Sequence, residues 1–228
     1  MQEASEHAAL SAPSRITLTE TLHARLLNMD QYRRFDEAYY HRFYENPKTR
    51  IYGTKEHANL AQYVFSFARW NDLPLTSVLD VGAGIGLWKN WITKNVKDIE
   101  YTGIEVSQAM CKKHGFQHRD IARWRDRRKY DLIICQGVLQ YLSDPDVAPA
   151  VANIAAMAGG LVYFEVLTRG DLRDRVDKDL TDLDVFVRNG SYYRGLFAKH
   201  LLPIGGGLHW TRELPPPFWE LDVAGGGK

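Results

Sequence analysis

The sequence LDVGAGIG at residues 79–86 is the most informative part of this chain of 228 residues. It completes a short run of aliphatic residues with strand character, and a helical pattern begins directly after it at Leu87. Alternating glycines allow a tight turn with positive φ angles, and they leave no Cβ atoms between the backbone and a bound molecule. The first turn of the following helix offers unpaired N–H groups. These residues therefore predict a ligand-binding turn between a strand and a helix.

Downstream of this turn, helical and β-rich runs alternate. The helical runs are GLWKNWITKNV, SQAMCKKHG and a stretch from Pro145, and the β-rich runs are IEYTGIEV, YDLIICQGV and GLVYFEVLT. Such alternation predicts parallel βαβ units and a three-layer α/β fold. The segments LPIGGGLHW and FWELDV predict an antiparallel pair at the sheet edge. We therefore expect a Rossmann-like sheet that is mostly parallel, has an antiparallel C-terminal edge and carries an N-terminal helical cap.

The cap is predicted from an aromatic pattern before the sheet. A helix from Asp30 to Asn46 would place four aromatic rings on one face, and Pro47 would end it. A second helix begins near Thr54. We expect residues 1–70 to form a tail and a helical cap or lid, and residues 71–228 to form the ligand-binding catalytic domain. The four rings on the common face are Tyr32, Phe35, Tyr39 and Phe43.

The composition excludes several classes of protein. The chain has 29 lysines and arginines and 28 aspartates and glutamates, which gives a net charge of +1. This charge is too small to create a positive potential that would attract nucleic acid or an anionic membrane. Two cysteines are too few for a disulfide framework or a structural zinc site. No segment resembles a signal peptide or a membrane span. We expect a cytoplasmic monomer or homodimer with no nucleic-acid or membrane partner and no metal.

Two features separate the glycine turn from a dinucleotide-binding loop. In G-x-G-x-x-G the third glycine comes three residues after the second, where this chain has Leu87, and here it comes one residue early at Gly86. Asp80 at the strand end suits a cationic or N–H-bearing ligand rather than a pyrophosphate. Both features argue against an NAD(P)-binding oxidoreductase, although that alternative uses the same scaffold and stays open.

Acidic residues follow the next strands. Glu105 comes 25 residues after Asp80, at the end of the second strand, where a carboxylate can accept hydrogen bonds from both hydroxyls of a ribose. Asp120 and Ile121 would offer an acceptor for an exocyclic amino group and an apolar contact for a flat ring. The sequence thus predicts three contact points for a nucleoside at consecutive strand ends.

These motifs resemble those of the class I S-adenosylmethionine-dependent methyltransferases that act on small molecules. The resemblance rests on LDVGAGIG, Glu105, RDI and YDLIICQGVLQYL, and it covers residues 75–168. It implies S-adenosylmethionine as cofactor and S-adenosylhomocysteine as product, and it places an aromatic N-terminal helix over the site. The cofactor-binding residues that it implies are Asp80, Gly82, Ala83, Gly84, Gly86, Glu105, Val106, Asp120, Ile121, Gln136 and Tyr40.

Simpler structural roles remain for some of these residues. Asp120 lies in a run of basic residues, and a solvated, salt-bridged surface would also explain it. The tyrosines of residues 32–44 can simply pack the cap onto the core. A protein that binds S-adenosylmethionine without catalysis, as a partner or regulator, is a further alternative.

The sequence excludes some classes of methyl acceptor, but it does not single out one residue as the general base. The fourth strand ends in CQGV at residues 135–138, which is not the Asn/Asp-Pro-Pro-aromatic sequence that resembles methylation of DNA amines, and which has no carboxylate for magnesium. We therefore expect transfer to an O or N nucleophile of a small molecule. A hydroxyl or protonated amine needs a base, for which the candidates are His200, His209 and Tyr141, with Glu165 at the end of the fifth strand.

Overall fold

The sheet and its helices are seen in a computed structural model that describes residues 32–222. The chain divides into two compact units, residues 1–34 and residues 35–228. The first unit is described only at residues 32–34, which form a turn. The fold below is that of the second unit. The boundary expected at residue 70, between the cap and the catalytic domain, falls inside the second unit. The division of roles at that boundary stays a prediction.

One mixed sheet contains seven strands, β1 (Ser77–Val81), β2 (Glu100–Glu105), β3 (Gln117–His118), β4 (Tyr130–Gln136), β5 (Ala158–Glu165), β6 (Leu201–Gly205) and β7 (Leu208–Thr211). Their order in the sheet is β3-β2-β1-β4-β5-β7-β6. Strands β1 to β5 pair in parallel, while β7 is antiparallel to both β5 and β6. The predicted fold class, with its antiparallel C-terminal edge, is confirmed.

Helices cover both faces of the sheet because the central strands are apolar on both faces. The helices are α1 (Glu37–Tyr40), α2 (Thr54–Trp70), α3 (Leu87–Asn95), α4 (Gln108–His114), α5 (Asp144–Met157), α6 (Arg169–Asp174) and α7 (Gly190–Ala198). Val78 and Leu132 face a core that they share with α2 and α3, whereas Leu79 and Ile133 face a second core shared with α5 and α7.

The aromatic cap begins later than the sequence predicts. Residues 32–34 form a turn, and the helix starts at Glu37 because Asp36 caps it, with the Asp36 carboxylate accepting a hydrogen bond from the Tyr39 amide at 2.9 Å. A π-helical turn, His41–Glu45, continues α1. The predicted start at Asp30 lies outside the described residues. The cap is thus two short helical turns rather than one regular helix.

The C-terminal antiparallel pair also differs from the prediction. LPIGGGLHW forms both strands, β6 and β7, and its glycines turn the chain between them with φ angles of 136°, 56° and 84° at residues 205–207. The described part of FWELDV, residues 218–222, does not join the sheet, and Glu220–Asp222 forms a 3₁₀ turn. Three consecutive glycines allow a hairpin too tight for other residues, so the partner strand came from the same segment.

No helix in residues 32–222 is both long enough and apolar enough to cross a membrane.

Candidate active site at the carboxyl edge of the sheet

The glycine turn follows β1 and leads into α3. Gly82, Gly84 and Gly86 have φ angles of 72°, 52° and 77°, the left-handed region that the alternating glycines predict. The amides of Gly82 and Ala83 donate to the carbonyl of Ile104 in β2, at 2.9 and 3.1 Å, and fix the turn beside the next strand. The turn therefore presents bare backbone at the carboxyl edge of the sheet.

Glu105 ends β2 and faces this turn. Its carboxylate accepts hydrogen bonds from the amides of Gly84 at 2.9 Å, Val106 at 2.7 Å and Ser107 at 2.9 Å. Burial raises the pKa of Glu105, and these bonds together with one from the Tyr40 hydroxyl oppose that rise. The structure brings the predicted ribose carboxylate against the glycine turn and fixes its orientation.

Asp80 lies beneath the turn at the end of β1. Only 2% of it is exposed, and the Tyr101 hydroxyl donates to its carboxylate at 2.5 Å. Burial raises the pKa of Asp80 to about 7, opposed by the Tyr101 hydrogen bond and aided by the nearby charge of Glu105. A buried acid of this kind responds strongly to a positive charge bound next to it.

The ends of β4 and β5 carry a chain of polar side chains. The indole of Trp88 donates to Gln136 Oε1 at 2.8 Å, and Gln136 Nε2 donates to Glu165 Oε1 at 3.2 Å. The Tyr163 hydroxyl donates to the other oxygen of Glu165 at 3.1 Å. The sequence predicted a role for the Gln136 backbone, and the structure adds its side chain.

The aromatic cap covers the glycine turn. A Cβ atom at Gly84 would lie 3.4 Å from the Tyr40 ring, and Tyr40 is buried. Burial, followed by the charge of Glu105, raises the pKa of Tyr40 well above its ordinary value, so its hydroxyl stays protonated. The Tyr39 and Tyr141 hydroxyls lie 2.9 Å apart. Tyr141 is thus, like Glu165, a predicted base candidate that the structure brings to this edge.

His200 and His209 do not reach the site, which corrects the sequence interpretation. Because β6 runs parallel to β5, His200, which precedes it, lies at the amino edge of the sheet. His209 lies within β7 between the rings of Phe164 and Phe197, at 5.4 and 5.1 Å, and burial lowers its pKa to about 4. The packing makes His209 a core residue.

Asp120 and Ile121 are used by the fold itself. The Asp120 carboxylate accepts from the amide of Ala122 at 2.9 Å and forms an ion pair with Arg123 at 2.5 Å. Ile121 is buried among core side chains. The Val106 carbonyl is 2.9 Å from the ring of His118. The adenine contacts implied for these residues stay a prediction.

Neither His57 nor Trp88 was among the residues that the sequence predicted for the site. His57 on α2 is 3% exposed, its ring packs on Trp88 at 4.8 Å, and its Nε2 atom makes no hydrogen bond within the described part of the chain. Burial lowers the pKa of His57 to about 4. Trp88 carried one usable signal, its place in the first turn of the helix that follows the glycines.

These residues fit the cofactor that the sequence predicts. A Cβ atom at Gly82 would clash with Val138 Cγ2, so the turn needs glycine at this position. Carboxylates at Asp80 and Glu105 suit a ligand with N–H groups, ribose hydroxyls and a positive charge. Within residues 32–222, no three His, Cys, Asp or Glu side chains come together as a metal site requires.

Comparison with solved structures places this fold among methyltransferases. The N-methyltransferase NodS from Bradyrhizobium japonicum is similar with a TM-score of 0.51 and 16% identity, over 69% of this chain and 86% of that chain. The plantazolicin methyltransferase BpumL gives 0.56 and 17%, over 79% and 76%. DesVI of Streptomyces venezuelae gives 0.53 and 18%, over 69% and 92%. At these identities the likeness shows the fold alone.

The sequence itself matches a family. A search of curated proteins finds no match. The profile of a methyltransferase domain family matches residues 12–202, which is most of the chain and includes the glycine turn, Glu105 and the ends of β4 and β5. This match decides against the oxidoreductase alternative. The chain belongs to this methyltransferase domain family, as a class I enzyme that uses S-adenosylmethionine.

Proposed function

We propose that this enzyme transfers the methyl group to an O or N nucleophile of a small molecule, a metabolite or a natural product. The observation that carries the proposal is the pairing of the glycine turn with Glu105, whose carboxylate accepts from the Gly84 amide at 2.9 Å. Next to this cofactor site, under the cap, aromatic and carboxylate side chains would contact the methyl acceptor. The motif at residues 135–138 likewise leads us to expect a small molecule as the methyl acceptor.

Two structural neighbours support a small acceptor. NodS is named an N-methyltransferase, and BpumL was solved with a pentazolic desmethyl analog of plantazolicin and S-adenosylhomocysteine. These names describe those proteins, and their low identity to this chain leaves the acceptor here a proposal.

The residues of this chain have separable roles in that reaction. The glycine turn and Glu105 would hold the nucleoside, and Asp80 would lie toward the methionine end. When bound, S-adenosylmethionine supplies an electrophilic methyl group on a positively charged sulfur. The cap would exclude water, and the hydroxyl pair of Tyr39 and Tyr141 would line the acceptor side.

The remaining expectations belong to the same proposal. We propose that residues 1–70 act as tail and cap or lid and residues 71–228 as the catalytic domain. We also propose that the enzyme is a cytoplasmic monomer or homodimer. Arg188 donates hydrogen bonds to Asp144 and to the carbonyls of Leu139 and Leu142, so it braces the loop after β4.

Ligand-dependent unfolding and turnover test the proposal. S-adenosylhomocysteine should raise the unfolding temperature, and NAD at the same concentration should not, because the turn lacks the third dinucleotide glycine. Turnover is then followed by mass spectrometry, as formation of S-adenosylhomocysteine with a panel of small amines and alcohols. Stabilisation by NAD alone would refute the proposal.

A further inference from the structure

The Glu165 carboxylate, at the carboxyl end of β5, has both oxygens held by side chains, one from the neighbouring strand β4 and one from β5 itself. Glu165 forms the last pair of the β4–β5 ladder with Gln136. Gln136 Nε2 donates to one oxygen at 3.2 Å, and the Tyr163 hydroxyl donates to the other at 3.1 Å. Glu165 is nevertheless exposed, so its carboxylate is oriented and still open to a ligand.

Trp88 ties this orientation to the cofactor turn. Its indole is 4% exposed and donates to Gln136 Oε1 at 2.8 Å, which leaves the Gln136 amide nitrogen to face Glu165. Trp88 lies in the first turn of α3, two residues after Gly86. The position of the carboxylate therefore depends on the same segment that would hold the cofactor.

The strand order places Glu165 one strand beyond β4, whose following loop touches the glycine turn. The glycine turn touches the loop after β4, because Gly82 lies against Val138. β5 is the next strand outward, about 4.8 Å away. The Gly137 amide donates to the Glu165 carbonyl at 2.9 Å, and Gly137, with a φ angle of 67°, puts no side chain between the two strands.

The charges around this edge are negative. Burial, then the charges of Glu165 and Asp80, raise the pKa of Tyr52. Burial, then the phenols of Tyr52 and Tyr141, and then the charge of Glu105, raise the pKa of Tyr44. Carboxylates thus contribute negative potential at this edge, and such a site favours a ligand that carries or develops positive charge.

We propose that Glu165 binds the attacking group of the methyl acceptor and that this group is an amine. The inference rests on the proposed function and names its substrate class. Gln136 and Trp88 are positioning residues, because they act through the orientation of the Glu165 carboxylate.

The chemistry explains why a carboxylate belongs there. The acceptor enters as an ammonium ion and releases one proton to water, which reaches exposed Glu165. The nitrogen lone pair then forms the new N–C bond while the bond between methyl carbon and sulfur breaks and its electron pair stays on sulfur. Positive charge moves from sulfur to nitrogen. A carboxylate beside the nitrogen therefore stabilises the transition state more than the reactants.

An acceptor-independent experiment uses sinefungin, in which an amine-bearing carbon replaces the methylated sulfur. Calorimetry compares its affinity with that of S-adenosylhomocysteine, which lacks the positive charge. Wild type should prefer sinefungin, and Glu165→Gln should lower that preference about tenfold, as for a hydrogen bond to a charged group, while its affinity for S-adenosylhomocysteine stays unchanged. Glu213→Gln is the matched control, since Glu213 forms an exposed ion pair with Lys129.

Each result decides the matter. If Glu165→Gln prefers sinefungin as strongly as wild type does, the proposal is overturned. It is also overturned if the variant binds both ligands equally more weakly, because Glu165 would then contact a part of the molecule that the two ligands share. Failure of wild type to bind either ligand would instead contradict the proposed function. In a screen that pairs each amine with its alcohol, transfer to the amines supports the assignment, and transfer to the alcohols alone overturns it.

Discussion

The two halves of the site are built in different ways. The cofactor half consists of backbone and one carboxylate from consecutive βα units, residues 80–86 and 105–107. The acceptor half is assembled from side chains far apart in sequence, such as Tyr39 with Tyr141 and Trp88 with Gln136. The first half follows from local sequence, because a glycine turn and a strand-end carboxylate specify their own geometry. The second half exists only once the chain has folded.

The largest effect should come from Gly82→Val, which attacks the cofactor half through the backbone. The φ angle of 72° and the clash with Val138 Cγ2 leave no room for a side chain. We expect a loss of about 1–3 kcal/mol in unfolding free energy and loss of S-adenosylhomocysteine binding, measured by urea unfolding and calorimetry. Gly195→Ala is the control, since a Cβ atom there meets nothing within 4 Å. Binding at wild-type strength would disprove the role of the turn.

Glu105→Ala should come next. Its carboxylate would accept from the ribose hydroxyls, so S-adenosylhomocysteine binding should weaken by roughly 1.5–3 kcal/mol, the range for hydrogen bonds to a charged group. Isothermal titration calorimetry on folded protein measures this. A loss of only a few tenths of a kcal/mol would mean that the end of β2 does not face the cofactor.

Asp80→Asn tests whether the raised pKa of Asp80 makes the stability of the protein depend on pH. Burial, opposed by Tyr101, raises the pKa of Asp80 to about 7 in the folded protein, against an ordinary value of about 4. The folded state therefore holds a proton that the unfolded state releases, and the stability this gives at low pH is lost as the pH rises through 7. Between pH 6 and 8 the wild type should lose about 1.4 kcal/mol more than Asp80→Asn, measured by urea unfolding. Parallel pH profiles would contradict this.

Tyr40→Phe should have the smallest effect, and it should strengthen the binding of S-adenosylhomocysteine rather than weaken it. Three amides and the Tyr40 hydroxyl already hydrogen-bond to Glu105, and a carboxylate has about four acceptor sites. The ribose must therefore displace Tyr40. Without the hydroxyl, S-adenosylhomocysteine should bind about fivefold more tightly, for one hydrogen bond of about 1 kcal/mol. Tyr63→Phe, which loses a bond to the Gly206 carbonyl, should not change affinity. Weaker binding by Tyr40→Phe would mean that its hydroxyl contacts the cofactor.

The sequence predicted the sheet from the local alternation of strand and helix patterns, and it predicted the glycine turn and Glu105 from short motifs at the strand ends. It could not predict that β6 would run parallel to β5, which moves His200 to the opposite edge. Nor could it show that His209 would pack between two aromatic rings. The helix of the cap starts at Glu37 because the Asp36 carboxylate caps it through a local hydrogen bond from the Tyr39 amide. Contacts between distant segments decided the positions of the two histidines.

Hydrogen exchange with and without S-adenosylhomocysteine tests most directly whether the two halves enclose one ligand. The glycine turn and residues 105–107 should exchange more slowly when the ligand is bound, since they contact it. Residues 37–45 should also slow, because the cap closes over the bound cofactor once Tyr40 has left Glu105. Slower exchange in both regions is the predicted result. Protection elsewhere, with the glycine turn and residues 105–107 unchanged, would contradict the assignment of the site.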